Sequence, residues 1–573
     1  MAQIRQIHIK NFRTIRELIW NPQPGLNCLI GPGDSGKSTI IDAIDISLGA
    51  RRSFAFSDAD FFRLDTSNPI EIFVTLGDLE DQLKNIELYG HFLRGFNHAN
   101  GQVLDEPHHI AETVLTIKLR VCEDLEPDWQ LYSERATAEG IEKRLNWKHR
   151  EQISPARLGA TGRQHLAWGN NSILNKLSDE QLDVSAILAA LSRQTRTNFA
   201  QQSLPELNGV LTQVKNIADK LGVSIGQLQA RLDVDGVSLS KGAIGLHNED
   251  NSPLRQLGTG STRLLISGLQ QSINSSNVLL VDEAEYGLEP FRITRLLNEL
   301  GSKETNPTKQ VFITTHSPYV LRELSAHQLK VLRRAALPQP GQLATPSHYV
   351  YTLGKSEQEQ ATLRACAEAF FSRKVIVCEG KTEIGLIRGI DLYSQEQGSN
   401  SIHAHGVCCA DGNGDSMFDR AKVFASLGYP TILFKDSDIT LPQHLAAAED
   451  ARQFGISIIE WGNTLSTEGA LFSYCPTNCI PDLLNIAAEW KGEDSVDQHI
   501  KNFSNDRYNL QSCRNHFDEG MRQILSTAAG KKSWYKDITP AEKVAKQIIC
   551  PLYGSFGAPL TSVLNNLFQW ARS

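Results

Sequence analysis

A chain of 573 residues is too long for one hydrophobic core and predicts two or three domains. With 40% hydrophobic and 21% charged residues it has the composition of a globular protein, which excludes a chain dominated by disorder. A net charge of -8 excludes a protein that coats nucleic acid over its whole surface, yet leaves room for a local basic channel at Lys143-Arg144 with Lys148-His149-Arg150, or at Lys531-Lys532 with Lys536.

The opening MAQIRQIHIKNFRTI alternates polar and apolar residues like a strand and lacks the apolar centre of a signal peptide. No run approaches the length of a membrane span, so a cytoplasmic location away from membranes is expected. Ten cysteines without paired spacing predict reduced thiols, and Cys475 with Cys479 forms a lone C-x3-C without a second half.

GLNCLIG then reads as a buried strand leading into GPGDSGKST, with a helix from about Ser38 to Leu48. Gly31, Gly36, Lys37 and Ser38 complete G-x-x-x-x-G-K-[ST] in its proper strand-to-helix context. In such a loop the backbone N–H groups around Gly33, Asp34, Ser35 and Thr39 cradle phosphates. Lys37 reaches their outer oxygens, and the Ser38 hydroxyl ligates Mg²⁺.

Further strands are expected at residues 70–76 and 113–121. Between about 176 and 233 the periodicity turns helical, and Leu207, Val210, Leu211, Val214, Ile217 and Leu221 lay one apolar stripe. Core packing and a dimerisation arm both suit that stripe. Strand pattern returns near 243, so the helical block reads as an insertion splitting one α/β domain: residues 1–160 and 243–355 flank an insertion at 161–242.

NVLLVDEAE and QVFITTHSP read as consecutive strands of a parallel sheet. Asp282 would hold the metal, directly or through water, and Glu283 would polarise an attacking water. Upstream, LGTGSTRLL offers Gly258, Gly260 and Ser261 in a turn that opens a helix and suits a γ-phosphate from a partner subunit. Downstream, His316 ends a strand where it can sense that phosphate.

A loop at 336–347 and a helix from about Ser356 to Ser372 lead to a second α/β unit, residues 372–573. Glu379 ends the strand KVIVCEG, and Glu383 lies one turn into the next helix. Asp436 and Asp438 alternate at the end of TILFKDSD. Oxygen ligands from two strand ends suit Mg²⁺ or Mn²⁺, which can activate water at a phosphodiester.

Walker A, a signature-like turn, Walker B with its glutamate and a switch histidine, in this order and after I-x-x-I-x-I-x-N-F-R, resemble the ABC-type ATPases of the SMC and RecF kind. The resemblance implies two heads sandwiching ATP. The chain departs from it in having LGTGS for LSGGQ and no clear Q-loop glutamine, with Asp60 standing near that position. E-G-x-x-E followed by D-x-D resembles the Toprim fold. Glu468 is similar to the additional acid of nuclease-type Toprim domains, and Lys532 or Lys536 to their late lysine.

The combination resembles the OLD (overcoming lysogenisation defect) family of bacterial and phage nucleases, including Gabija nuclease subunits and retron-associated effectors. That implies an ATP-regulated, metal-dependent DNA endonuclease with ATP and Mg²⁺ (or Mn²⁺) as cofactors, acting in phage defence. It further implies DNA as substrate, homodimers or higher assemblies, and separate helicase or reverse-transcriptase partners. Alternatives are a RecF-like repair clamp with a non-catalytic Toprim unit, or a topoisomerase- or primase-like enzyme, for which Tyr535 lies in a basic segment.

Overall fold

The computed structural model describes residues 2–158, 256–272, 277–334, 348–516 and 518–573, with a few isolated positions between 191 and 212. The apolar stripe from Leu207 to Leu221, and nearly all of the expected insertion, lie outside the described residues.

An antiparallel sheet comes first. Strands β1 (Gln3–Phe12), β2 (Ile15–Trp20), β4 (Ile70–Gly77), β5 (Leu93–Asn97), β6 (Gln102–Leu104) and β7 (Glu112–Val121) run in the order β2-β1-β4-β7-β5-β6, and β8 (Pro127–Tyr132) also pairs with β7. The second sheet contains β3 (Leu26–Ile30), β9 (Ala156–Leu158), β10 (Val278–Val281), β11 (Gln310–Thr314), β12 (Leu329–Arg334) and β13 (His348–Thr352) in the order β13-β12-β3-β11-β10-β9. It is parallel except at β12 and β13.

Strand β9 pairs with β10 at Ala156 and Leu279, so the chain leaves this sheet after Leu158 and re-enters beside its own exit. The expected strands at 278–281 and 310–314 are parallel neighbours, as their unbroken apolar runs predict.

The third sheet is parallel: β14 (Lys374–Cys378), β15 (Val407–Asp411), β16 (Thr431–Lys435) and β17 (Ser457–Glu460), in the order β15-β14-β16-β17. The expected α/β character does not persist to the C-terminus. Among the described residues no strand follows β17, and helices including Thr467–Tyr474, Ile480–Lys491, Glu519–Lys532, Ile538–Val544 and Ala558–Arg572 take over. Their apolar faces cover one side of the sheet.

Period-two alternation explains how the layers join. Leu29, Leu280 and Phe312 point to a core beneath the antiparallel sheet and the helix Lys37–Leu48. Their neighbours Cys28, Ile30, Val281 and Ile313 point the other way, into a core shared with Val375, Val377 and Leu433 of the third sheet. Ile376, Cys378, Ile432 and Phe434 face the C-terminal helices. One continuous core therefore spans the second sheet and the third sheet.

The expected linking helix ends early, at Ala365, and a 3₁₀ segment, Ala367–Phe371, completes the connection. Arg333 fastens the junction. Its guanidinium lies 4.2 Å from the Tyr429 ring centroid and donates to the carbonyls of Ser372 (3.3 Å) and Arg373 (2.9 Å).

The helix Lys381–Glu396 lies close against Ile538–Val544 and the π-helical turn after it. A Cβ added at Gly385 would stand 2.4 Å from the Ile538 carbonyl, and one at Gly389 2.5 Å from the Glu542 carbonyl. Gly389→Val is expected to cost about 1–3 kcal/mol by overpacking and to lower the melting temperature. Unchanged melting in calorimetry would contradict this close approach.

Candidate functional site

The glycine loop behaves as its residue types dictate. Gly31 has φ 158° and Gly36 has φ 97°, and a Cβ at Gly31 would meet the Leu332 carbonyl at 2.5 Å. Gly36 caps the helix Lys37–Leu48 without a side-chain acceptor, and no acidic residue lies in the first turn. The N–H groups of that turn are therefore left for an anion.

The Ser35 hydroxyl is buried in the loop without a hydrogen-bond partner. An orphaned donor, free helix N–H groups and a lysine on loop carbonyls are what a phosphate ligand satisfies. Lys37 is 6% exposed, and its ammonium donates to the carbonyls of Gly31 (3.1 Å) and Pro32 (3.2 Å). Burial lowers its pKa, opposed by Asp34, Asp282 and Glu283.

Across the sheet, 244 positions along the chain, Asp282 meets this loop: the Ser38 hydroxyl donates to its Oδ1 at 3.4 Å. Thr314 donates to the same oxygen, and Arg157 stands 3.7 Å from the other. Glu283 occupies left-handed backbone, φ 48°, with its N–H on Thr314 Oγ1 at 2.8 Å.

Glu285, which sequence reasoning passed over, accepts from the Thr315 hydroxyl (2.6 Å) and the His316 N–H (2.7 Å), fixing the loop that presents the exposed His316. The His316 ring stacks on Phe371, at 6.5 Å between centroids, immediately before β14. In the signature-like turn Gly258 is exposed, Gly260 is buried against the Gly287 carbonyl, and Ser261 accepts from Arg292 at 3.1 Å.

Other expected positions serve the fold. The Asp60 carboxylate is taken by Arg13 (2.9 Å) and by Ser57 at the cap of a 3₁₀ turn. In the first basic stretch Lys143 donates to the Leu88 carbonyl, Arg144 pairs with Asp128 at 2.8 Å, and Arg150 lies over Trp129 at 4.6 Å. Burial lowers the Arg150 pKa to about 10. Tyr535 is fully buried with its hydroxyl on the Leu483 carbonyl at 2.7 Å, out of reach as a nucleophile for DNA. All ten cysteines are free thiols.

The acids of the second unit gather at the C-terminal edge of β14 and β16. Glu379 and Asp436 follow the two strands directly, and the Asp436 N–H donates to Glu379 Oε2 at 2.9 Å. Glu383, 3% exposed, caps its own helix by accepting from the Gly380 N–H at 2.9 Å. Glu468, 5% exposed, lies in the first turn of the helix Thr467–Tyr474, and Asp438 is exposed at the rim.

A residue that the motifs did not nominate ties two of the acids together. Thr467 Oγ1 lies 2.6 Å from Glu383 Oε1 and 2.8 Å from Asp436 Oδ1, its N–H donates to the same Asp436 oxygen at 2.8 Å, and Trp461 Nε1 donates to the hydroxyl at 2.7 Å. Lys435, buried under the site, pairs with Glu460 at 3.0 Å. Of the two late lysines, Lys536 is close enough to act on the Glu468 charge, whereas Lys532 acts on His499. A T-E pair opening a helix was the available signal for Thr467.

Burial raises the pKa of Glu379, against the pull of the Asp436 N–H and Lys435. Asp436 is raised further by burial and by the neighbouring charges of Glu383 and Glu379. Glu383 and Glu468 reach about 8, each chiefly through burial, with neighbouring carboxylates adding to it. Hydrogen-bond arithmetic agrees. A hydroxyl has one hydrogen and two lone pairs, and Trp461 takes one lone pair, so one of the two carboxyls on Thr467 must bring its own proton.

Among the described residues no three such side chains stand in an arrangement that holds a metal ion as it is. Glu379, Glu383 and Asp436 are held by N–H and hydroxyl donors instead. The donor set itself, carboxylate oxygens crowded where their charges repel, fits a hard divalent cation.

A stability consequence follows. Glu383 and Glu468 carry a usual value of 4.5, so the folded chain binds more protons than the unfolded one between about 4.5 and about 8. Their contribution to stability is full below the unfolded value and is lost as pH rises through the folded one. Melting of metal-free protein is expected to fall from pH 5 to 8, and Mn²⁺ to raise it more at pH 8 than at pH 6. A larger metal effect at pH 6 would contradict these protonation states.

The chain is a P-loop domain joined through a common core to a parallel sheet edged with acids. Residues 26–322 match the family described as AAA domain, putative AbiEii toxin, Type IV TA system, and residues 370–438 match the overcoming lysogenization defect protein-like TOPRIM domain. The chain belongs to the first of these families, and its second unit carries an OLD-like TOPRIM domain.

It is 24% identical over 364 residues to an OLD nuclease of Thermus scotoductus, covering 58% of this chain and 62% of that relative. The match thus spans less than two thirds of the relative's length. Solved structures similar to the chain include an Smc head bound to the C-winged helix domain of ScpA (TM-score 0.32, 16% identical, 61% of this chain and 98% of that one). The SMC head domain from Thermotoga maritima is another (TM-score 0.28, 14% identical, 61% and 99%). No helix among the described residues is long and apolar enough to cross a membrane.

Proposed function

We propose that this protein is an ATP-regulated, metal-dependent DNA endonuclease of the OLD type that serves in defence against phage from the cytoplasm. The observation that carries the reading is the cluster of buried and half-buried acids at the Toprim sheet edge, two of them, Glu383 and Asp436, joined by Thr467. Nothing in the fold requires four carboxylates to crowd where each resists ionisation, whereas a phosphodiester hydrolase needs them.

Glu379, Glu383, Asp436, Asp438 and Glu468 would hold Mg²⁺ or Mn²⁺, which when bound polarises the scissile phosphate and lowers the pKa of water. The Lys536 ammonium is the better-placed of the two late lysines to offset charge developing on the phosphate. Lys37, Ser38 and the loop N–H groups bind ATP, Asp282 and Ser38 carry its Mg²⁺, and Glu283 orients water. The exposed Gly258 turn serves a second head, so the working form is a homodimer or larger. We read residues 1–160 and 243–355 as one ATPase domain with an insertion at 161–242, and 372–573 as the nuclease unit. A helicase or a reverse transcriptase with its nucleic acid would be a separate partner.

The test is conversion of supercoiled plasmid by the full chain in Mg²⁺ or Mn²⁺, with and without ATP. Nicked or linear product is expected, absent from Glu379→Ala. Product that persists in that variant would remove the acids from the chemistry. The rival topoisomerase reading is disfavoured by the burial of Tyr535.

A further inference from the structure

We infer that Thr467, anchored by the Trp461 indole, is a positioning residue that sets Glu383 and Asp436 in register for the divalent cation; the inference rests on the metal-site reading above. Each of the two acids comes from a different element, the helix Lys381–Glu396 and the end of β16, and lies on a separate stretch of backbone. Nothing in their local sequence fixes their mutual distance. Thr467, from a third element, does so with one hydroxyl touching Glu383 at 2.6 Å and Asp436 at 2.8 Å. The acids can therefore be no farther apart than two short hydrogen bonds allow.

The hydroxyl cannot wander. Thr467 is fully buried at the first helical position after Ser466, whose own hydroxyl caps the helix by accepting from the Gly469 N–H at 3.1 Å. Its backbone N–H is committed to Asp436, so backbone and side chain grip one carboxylate together. The Trp461 N–H donates to the same hydroxyl from 2.7 Å and restricts its remaining torsion. Trp461 is itself buried and T-stacked on Phe434 of β16 at 5.3 Å, which ties the anchor to the strand that carries Asp436. A β-branched residue with a hydroxyl suits the place, because its restricted rotamer aims the oxygen while the methyl fills the core.

Outer partners that orient metal-binding carboxylates contribute about 10–100-fold to metal affinity. Thr467→Val, nearly the same shape without the hydroxyl, is expected to weaken Mn²⁺ binding by about that factor. Thr467→Ser is expected to restore it to within about threefold, the hydroxyl being what matters. Trp461→Phe keeps the hydroxyl and removes its anchor, and is expected to fall between the two.

The measurement is Mn²⁺ titration of the full-length chain followed by electron paramagnetic resonance of free Mn²⁺. Binding of a fluorescent ATP analogue at the distant glycine loop checks that each variant is folded. Wild-type binding with Thr467→Val equally tight and folded would overturn the positioning role while leaving the metal site standing. Absence of Mn²⁺ binding by wild type at the acids would instead overturn the metal-site reading. Should the valine variant fail the ATP-analogue check, Trp461→Phe decides: unchanged Mn²⁺ affinity in that variant overturns the proposal, and weakened affinity supports it.

Discussion

Asp436→Asn is expected to reduce plasmid cleavage by roughly 10³-fold, the loss of about 4 kcal/mol of transition-state stabilisation that removing a central metal ligand implies. The asparagine keeps an oxygen for the Thr467 N–H, so the local hydrogen bonding survives while the charge does not. ATP binding at the glycine loop should be unchanged. The same substitution is expected to make metal-free protein melt higher at pH 8, because Asp436 is a buried acid pressed by Glu383 and Glu379. Activity lost and metal-free stability gained would mark a residue kept for function at a cost to the fold. Full cleavage by this variant, or a lower metal-free melting temperature at pH 8, would contradict its place in the site.

Lys37→Ala is expected to weaken ATP binding by about two orders of magnitude, as loss of a charge-assisted contact to phosphate in a buried loop implies. Lys37 is buried against the Gly31 and Pro32 carbonyls, oxygens that a phosphate-bound lysine would leave. The variant should retain the basal, nucleotide-free rate of DNA cleavage, since the Toprim acids lie on another sheet. What it should lose is the difference between cleavage rates with and without ATP. Isothermal titration with a non-hydrolysed ATP analogue, beside the plasmid assay, checks both halves. Preserved ATP control without measurable ATP binding would disconnect the loop from regulation. The shared core and the His316–Phe371 stack give such control a short physical route, since Phe371 precedes the strand after which Glu379 stands.

Much of this protein is legible without coordinates because its chemistry is local. A glycine loop needs left-handed backbone and therefore glycine at Gly31 and Gly36. Buried parallel strands need unbroken apolar runs, and acids at strand ends leave their mark at Glu379 and Asp436. The strand pattern of the second α/β unit does not extend to the C-terminus, where the described residues after β17 form only helices, because an apolar face at helical spacing covers a sheet as well as another strand layer would. Basic stretches were ambiguous for a physical reason. Arg150 over Trp129 and Lys143 on a backbone carbonyl use their charge for packing, and charge alone does not disclose its partner.

The sequence by itself determined the types of chemistry: a phosphate loop and a Walker B acid pair, each in one short motif, and Toprim carboxylates in two short motifs at separate strand ends. Only the tertiary structure decided which distant groups meet. Ser38 meets Asp282 across 244 positions, and Glu383 meets Thr467 across 84. The reason is that motifs record constraints on neighbouring backbone, whereas contacts between elements depend on sheet order and on which face each strand turns to the core.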